Sequence, residues 1–211
     1  MKKLEPATIM LAGAPAGKEG FVTRMIKRRS QLPGESKTEF THAGIIGRGG
    51  AFTLATVIEQ TFPRLREVSL REYYSRAHLK FYRLKSLTPE DQQKIVTTMR
   101  QRIGERYGLL KLAGFYLDYW LSAAWSFIRR KAVEVRFFTR FNLTNRFVCS
   151  QVVAQVYGGF VDFAPKNTPN RLLGRLFKRP GFGVTPDDID DYCKAHPELF
   201  EVVGEVRPTE Q

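Results

Sequence analysis

The sequence predicts an α+β domain in which a helix that begins at a cysteine packs on an antiparallel sheet. Short stretches alternate between apolar and polar residues and are separated by Gly- and Pro-containing turns, which is typical of antiparallel strands. Two Thr-Pro sequences followed by acidic residues, at Thr88 and Thr185, are typical of helix starts. Cys149 precedes a run of valines at helical spacing. With 211 residues and 43% apolar content, the chain is long enough for one domain, residues 1–211, with a real core.

The first sixty residues predict three strands and one helix. Phe40, His42, Gly44 and Ile46 alternate with Thr41, Ala43 and Ile45, which places the two sets on opposite faces of a strand. The predicted elements are a strand over 7–13, a basic helix over 20–29, a loop over 31–37, a strand over 39–46, a turn over 47–50 and a returning strand over 53–60.

The next fifty residues predict two helices and a strand. Ser69 and Glu72 have the spacing of a capping box, which predicts a helix to about Arg76. A strand over 79–84 follows, and then a helix that begins at Thr88. The apolar stripe of this second helix has four-residue spacing: Ile95, Met99, Ile103 and Tyr107.

The segment 109–128 is the most apolar of the chain, and basic, aromatic residues fill 129–146. Because Lys111 and Asp118 interrupt the apolar run, we do not expect it to span a membrane. We interpret residues 109–141 as a helical, aromatic insert. Three roles fit it: a lid over an apolar groove, a plate on a lipid surface, or ordinary core, and ordinary core is the most common for such helices.

Residues 149–157 predict an amphipathic helix, capped at its start by Thr144 or Asn145 and ended by Gly158-Gly159. Its apolar face consists of Val152, Val153, Val156 and Tyr157. A thiol in the first turn lies near unpaired N–H groups and the positive end of the helix dipole, and both lower its pKa. Further helices are expected to begin at Thr168 and Thr185, and a final strand is expected over 199–206.

The chain carries 34 basic and 21 acidic residues, a net charge of +13. Such a charge favours anionic partners, here an anionic membrane surface or an acidic polymer, and no nucleic-acid-binding signature accompanies it. The two cysteines and three histidines do not cluster, so we expect no metal and no other cofactor. The chain start lacks a signal-peptide pattern, so we expect a cytoplasmic protein with free thiols and at most peripheral membrane contact.

Three residues of complementary chemistry stand out: His42, Glu59 and Cys149. If the hairpin centre falls near Ala51, His42 and Glu59 face each other across two strands, whereas a shift of one residue would separate them onto opposite faces. A carboxylate in an apolar strand needs a partner. Glu59 would orient the imidazole, and the imidazole would take the thiol proton. Each residue alone has an ordinary structural interpretation, because free cysteines and lone histidines are commonly packing residues.

The remaining reactive residues have structural interpretations. Cys193 follows acidic residues, which raise the pKa of a thiol. His78 and His196 show no partner pattern. The glycine-rich stretch 47–50 lacks the lysine and the following helix of a phosphate-binding loop, and is interpreted as a hairpin turn.

Short motifs in a fixed order resemble the circularly permuted branch of the NlpC/p60 papain-like hydrolases, the YiiX-like group. They are Thr8–Leu11, Thr41–Ile46, Val57–Glu59, Tyr107-Gly108, Phe147–Val153 and Thr185–Asp188. The resemblance implies a permuted papain-like fold with His42 as base, Glu59 as its orienting residue, Cys149 as nucleophile and Tyr107 as a further site residue. The alternative for Tyr107 is the last position of an apolar helix stripe.

The activity expected from this resemblance is thiol hydrolysis of an amide bond, peptide-like or N-acyl, such as that of a cell-wall peptide. Two alternatives stay open. One is a lipid acyl hydrolase or acyltransferase of the lecithin:retinol acyltransferase-like type, acting at a membrane surface. The other is a non-catalytic basic binding module on the same fold. The sequence predicts no particular oligomeric state.

Overall fold

The computed structural model describes residues 3–13, 39–73, 77–108, 117, 120, 121, 124, 125, 148–161 and 184–207. The described residues form six strands: β1 Ile9–Gly13, β2 Phe40–Ile46, β3 Thr56–Gln60, β4 Leu65–Ser69, β5 Leu79–Leu84 and β6 Phe200–Val206. They also form three α-helices with complete bounds, α1 Pro89–Gln101, α2 Cys149–Tyr157 and α3 Pro186–Ala195, and a 3₁₀ helix, Leu70–Tyr73. The predicted α+β class is confirmed.

The six strands form one sheet in the order β4-β3-β2-β1-β5-β6, and every strand pairs antiparallel with its neighbours. Strands β2, β3 and β4 follow one another as neighbours, so short connections suffice. Strand β1 lies between β2 and β5 in the middle of the sheet. The predicted antiparallel sheet is therefore confirmed.

Both faces of the sheet are covered by buried apolar side chains. Because successive residues of a strand point to opposite faces, Ile9 and Leu11 belong to one apolar cluster and Met10 and Ala12 to the other. The first cluster contains the inward faces of the three helices, and contributors include Val152, Val153, Tyr157, Ile189, Ile95 and Met99. The cysteine helix is thus packed on one face of the sheet.

The buried side chains of Ser150 and Asp190 fix α2 and α3 against the rest of the fold. The Ser150 hydroxyl donates to the carbonyl oxygen of Val184, just before α3, at 2.7 Å. In α3 the buried Asp190 carboxylate accepts from Tyr82 at 2.6 Å and from Lys80 at 3.2 Å, both on β5. Buried polar groups require such partners, so α3 has a defined position on the sheet.

The helix ends test the predicted caps. Both Thr-Pro starts form the reciprocal capping box, Thr88 with Asp91 and Thr185 with Asp188. The predicted cap of α2 by Thr144 or Asn145 is wrong, because the N-cap is Val148, which has extended backbone angles and no capping side chain. Gly158 ends this helix as predicted.

Three element predictions between 50 and 107 need correction. The helix predicted after Ser69 is only the 3₁₀ turn Leu70–Tyr73, since the Ser69 hydroxyl accepts from the N–H of Arg71 rather than from that of Glu72. Strand β4 was not predicted. Helix α1 ends at Gln101, so Ile103 and Tyr107 are not part of its apolar stripe. Strand β3 begins at Thr56 rather than at residue 53.

Several predictions fall outside the described residues: the helix over 20–29, the loop over 31–37, the helix start at Thr168 and most of the insert over 109–141. Residues 117, 120, 121, 124 and 125 within that insert are helical. In the described part of the chain, no helix is both long enough and apolar enough to cross a bilayer.

Gly44 lies where β2 and β3 approach closely, and it gives a test of this packing. A Cβ at this position would lie 2.8 Å from Val57 Cγ2 and 3.0 Å from the Ile58 carbonyl oxygen. We expect Gly44→Ala to lower the free energy of unfolding by about 1–3 kcal/mol through overpacking, measured by urea denaturation.

Gly159→Ala is the matched control, because a Cβ at Gly159 has nothing within 4 Å. We expect this variant to stay within about 0.5 kcal/mol of the wild type. Equal stability of the two variants would contradict the close approach of β2 and β3 at Gly44.

Candidate active site

The hairpin of β2 and β3 brings His42 to Glu59. Glu59 pairs directly with Gly44, not with His42 as predicted. The register differs by two residues, so His42 keeps its face and becomes the diagonal neighbour of Glu59. The imidazole Nε2 lies 2.6 Å from Glu59 Oε2. Gly44, the direct partner of Glu59, has no side chain, which leaves room for the diagonal contact between His42 and Glu59.

Cys149, the first residue of α2, reaches the same histidine from the helix layer. Its sulfur lies close enough to the His42 side chain and to the backbone N–H groups of Ala43 and Ser150 for all three to lower the pKa of the thiol. Since Nε2 of His42 is occupied by Glu59, Nδ1 is the nitrogen left for the sulfur. The structure therefore brings together His42, Glu59 and Cys149, which lie far apart in the sequence.

The electrostatics favour a thiolate and an imidazolium. Burial opposes ionisation of Cys149, but the His42 charge and the N–H donors outweigh it and lower the pKa of the thiol. Burial likewise opposes protonation of His42, yet the neighbouring Cys149 and Glu59 raise the pKa of its imidazole from 6.5 to about 10. The imidazolium and the thiolate therefore each favour the charged form of the other.

Two residues that the sequence analysis missed hold Glu59. The carboxylate is fully buried, and it accepts hydrogen bonds from Tyr73 Oη and from the Arg66 guanidinium, at 3.0 Å from Nε and 2.9 Å from an Nη. Burial opposes ionisation of Glu59, but the donors of His42, Tyr73 and Arg66 lower the pKa of the carboxyl to about 2. The Tyr73 ring also stacks beside the His42 ring, with centroids 6.3 Å apart and planes 11° apart.

Arg66 and Tyr73 were missed because the elements that carry them were not predicted correctly. Arg66 lies on β4, opposite Glu59, and Tyr73 ends the 3₁₀ turn that follows β4. The alternation of Leu65, Glu67 and Ser69 with Arg66 and Val68 is the signal that could have indicated a strand beside β3. A third strand at this edge would have placed a cation opposite the buried carboxylate.

Tyr107 lies near the sulfur. Its side chain is buried, and burial, followed by the charge of Cys149, raises the pKa of its phenol. Its backbone N–H donates to the carbonyl oxygen of Pro63 at 2.9 Å, which fixes the chain beyond α1. Because α1 ends at Gln101, the alternative of a helix-stripe residue is wrong. Its part in chemistry stays a prediction.

The other histidines and the second cysteine lie outside this cluster. Contrary to the sequence analysis, His78 and His196 have carboxylate partners, Glu205 at 2.8 Å and Glu198 at 2.9 Å. Cys193 is a buried free thiol. Burial, followed by the nearby Asp190 charge, raises its pKa, so this thiol stays protonated at neutral pH.

The buried carboxylate makes acid stability a test of this arrangement. Glu59 has a folded pKa of about 2 against an ordinary value of 4.5, so its stabilisation is present above pH 4.5 and is lost as the pH falls towards 2. This amounts to a change on the order of 3 kcal/mol. Glu59→Gln has no carboxylate to protonate at this position, so we expect its free energy of unfolding to fall less than that of the wild type between pH 4.5 and 2. Urea denaturation at a series of pH values measures this: the difference in the free energy of unfolding between the two proteins should become smaller as the pH falls.

Glu90→Gln, which removes an exposed carboxylate in the first turn of α1, is the control and should follow the wild-type pH dependence. A Glu59→Gln profile parallel to that of the wild type would mean that the carboxylate is not held ionised.

No protein-family model and no curated protein matches the sequence. Among solved structures, the fold is similar to the crystal structure of metalloprotein yiiX from Escherichia coli O157:H7, DUF1105. The TM-score is 0.56, with 15% sequence identity over 98% of this chain and 100% of that one. The likeness spans both chains almost completely, so it concerns the whole fold rather than one motif.

The described residues around Glu59 do not fit a bound metal ion. Among the described residues, no group of three or more His, Cys, Asp and Glu side chains could hold one. The Glu59 oxygens already accept from three donors, and the Arg66 guanidinium beside them would repel a second cation. At 15% identity, the comparison establishes a YiiX-like α+β fold, and the chemistry follows from this chain's own residues.

Proposed function

We propose that this protein is a thiol hydrolase that cleaves an amide bond, peptide-like or N-acyl, with Cys149 as nucleophile. One observation carries the proposal: His42 interacts on one side with the Cys149 thiol, whose pKa it lowers, and on the other side, through Nε2, with a buried carboxylate at 2.6 Å. This is the arrangement of a nucleophile, a base and an orienting acid. The order of these residues along the chain supports a circularly permuted papain-like fold of the NlpC/p60 type.

In the first half-reaction, the Cys149 thiolate attacks the carbonyl carbon of the amide and the carbonyl π electrons move to the oxygen. The oxyanion collapses, the C–N bond breaks, and the His42 imidazolium gives its proton to the leaving nitrogen. Acylation removes the thiolate charge that raises the His42 pKa. The imidazolium therefore becomes a stronger acid as the amine leaves.

In the second half-reaction, neutral His42 takes a proton from a water molecule that attacks the thioester. The C–S bond breaks, the acid is released, and the thiolate and imidazolium return. The Glu59 carboxylate stays ionised throughout and holds the Nε2–H of the ring. Tyr73 and Arg66 keep that carboxylate in place through their hydrogen bonds.

The start of α2 supplies an electrostatic partner for the oxyanion. Cys149 is the first residue of the helix, so its N–H has no partner within the helix and points out of the helix end. Such donors stabilise charge that develops on a carbonyl oxygen next to the nucleophile. We assign this N–H as one oxyanion donor.

Alkylation of Cys149 tests the nucleophile. We expect iodoacetamide to label Cys149 at neutral pH faster than a small free thiol because, although burial opposes ionisation, the His42 charge lowers the pKa of the thiol. His42→Ala should lower the neutral-pH labelling rate by about tenfold or more, because the thiol then loses the charge that lowers its pKa and burial favours its protonated form. The measurement is intact-mass labelling over a pH series.

Cys193 is an internal control for this experiment, because it is buried and its pKa is raised. The Cys149→Ser variant, which keeps only Cys193, should stay unlabelled in the folded state. Labelling of Cys149 no faster than that of a small free thiol would overturn the proposal and leave the basic binding module as the better account.

The acyl group can be identified by trapping the acyl-enzyme on Cys149. We expect the mass adduct and turnover with N-acyl or peptide amides, and neither with Cys149→Ser. Adducts formed only from phospholipid acyl esters would instead favour the lipid acyl hydrolase or acyltransferase.

A further inference from the structure

Five helical residues of the segment 117–125 present an apolar face to solvent. Residues 117, 120, 121, 124 and 125 are helical, and their spacing places them on one face of a helix. We define the apolar face by these residues: Leu117, Trp120, Leu121, Ala124 and Trp125. The four large side chains keep 46%, 56%, 43% and 47% of their surface exposed, in that order.

Large apolar side chains that recur on one face differ from scattered exposed residues, which need no explanation. This face contains both tryptophans of the chain. Tryptophan has an apolar ring system and one N–H donor, which suits it to the boundary between lipid chains and water. The two leucines offer hydrocarbon contact and no hydrogen bonding.

The charge of the chain indicates which kind of partner the apolar face binds: a second copy of the chain, a lipid surface or nucleic acid. The net charge of +13 repels a second copy of the chain and attracts anionic surfaces. In the sequence, six of the eighteen residues from Arg129 to Arg146 are Lys or Arg, so the positive charge is concentrated just after the apolar face. Nucleic acid would be held by stacking on aromatic side chains and by phosphate contacts, to which leucines contribute nothing.

We propose that this apolar face docks the protein on an anionic lipid bilayer, as an interfacial helix that lies in the bilayer surface. The tryptophans and leucines enter the boundary of headgroups and acyl chains to a depth of roughly 5–10 Å, and the net positive charge draws the protein to the surface. None of its residues belongs to the cluster of His42, Glu59 and Cys149, so docking does not depend on the proposed hydrolysis.

The tryptophan fluorescence of the protein, excited selectively over that of the tyrosines, reports on this face alone, because the chain has two tryptophans and both belong to it. With vesicles of phosphatidylcholine and phosphatidylglycerol, we expect a blue shift of the emission and quenching by doxyl-labelled lipid. Vesicles of phosphatidylcholine alone should bind at least about tenfold more weakly, and high salt should weaken binding to the anionic vesicles.

Leu117→Ser/Leu121→Ser removes apolar contact and keeps both fluorescent reporters. We expect it to lower the affinity for anionic vesicles by at least about tenfold. The matched control is Leu54→Ser/Val202→Ser, which removes two side chains that are 65% and 50% exposed elsewhere on the protein, and it should bind within about twofold of the wild type. Cys149→Ala should bind like the wild type.

Several results would overturn the proposal. Vesicle binding without an emission shift or without doxyl quenching would place the contact on another surface. Equal loss of binding in the two double variants would remove the role of this face. Tryptophan quenching by a single-stranded oligonucleotide, with no vesicle binding, would assign the face to nucleic acid instead.

Discussion

The buried carboxylate of Glu59 is the interaction on which the candidate site depends. An ionised group that is 0% exposed is unfavourable unless several donors replace its water. The donors come from three separate elements: His42 on β2, Arg66 on β4 and Tyr73 at the end of the 3₁₀ helix. The strand order and the register of β2, β3 and β4 are therefore constrained by one side chain, as well as by the apolar core.

Helix α2 is adapted to a thiolate by the absence of a capping side chain. Most helices satisfy their first N–H groups with a Ser, Thr, Asp or Asn at the N-cap, and α1 and α3 do so here. In α2 the N-cap is Val148, which offers no capping side chain, and the N–H of Ser150 helps to lower the pKa of the Cys149 thiol instead. A capping side chain would compete with the sulfur for that N–H, so its absence favours the thiolate form of Cys149.

The parts of the fold that could be predicted are those with strong local signals. Alternation indicated β2 and β5, and the Thr-Pro starts indicated α1 and α3. The contact of His42 with Glu59 could be predicted because a hairpin register that shifts by two residues keeps both side chains on one face. Strand β4 was missed, because its alternation covers only five residues, which are largely half-exposed and give a weak apolar pattern. Arg66 and Tyr73 were missed with it, since their role arises only from tertiary pairing.

The two cysteines show why burial alone does not decide the chemistry of a thiol. Both lie in helices packed on the sheet, and they are 4% and 2% exposed. Burial raises the pKa of each, but the neighbours of Cys149 are an imidazolium and two N–H donors, whereas Cys193 lies near the Asp190 carboxylate. The surroundings of Cys149 therefore favour the thiolate, whereas those of Cys193 favour the protonated thiol. The charges that the fold brings to each sulfur, which sequence spacing does not reveal, decide which cysteine can act as a nucleophile.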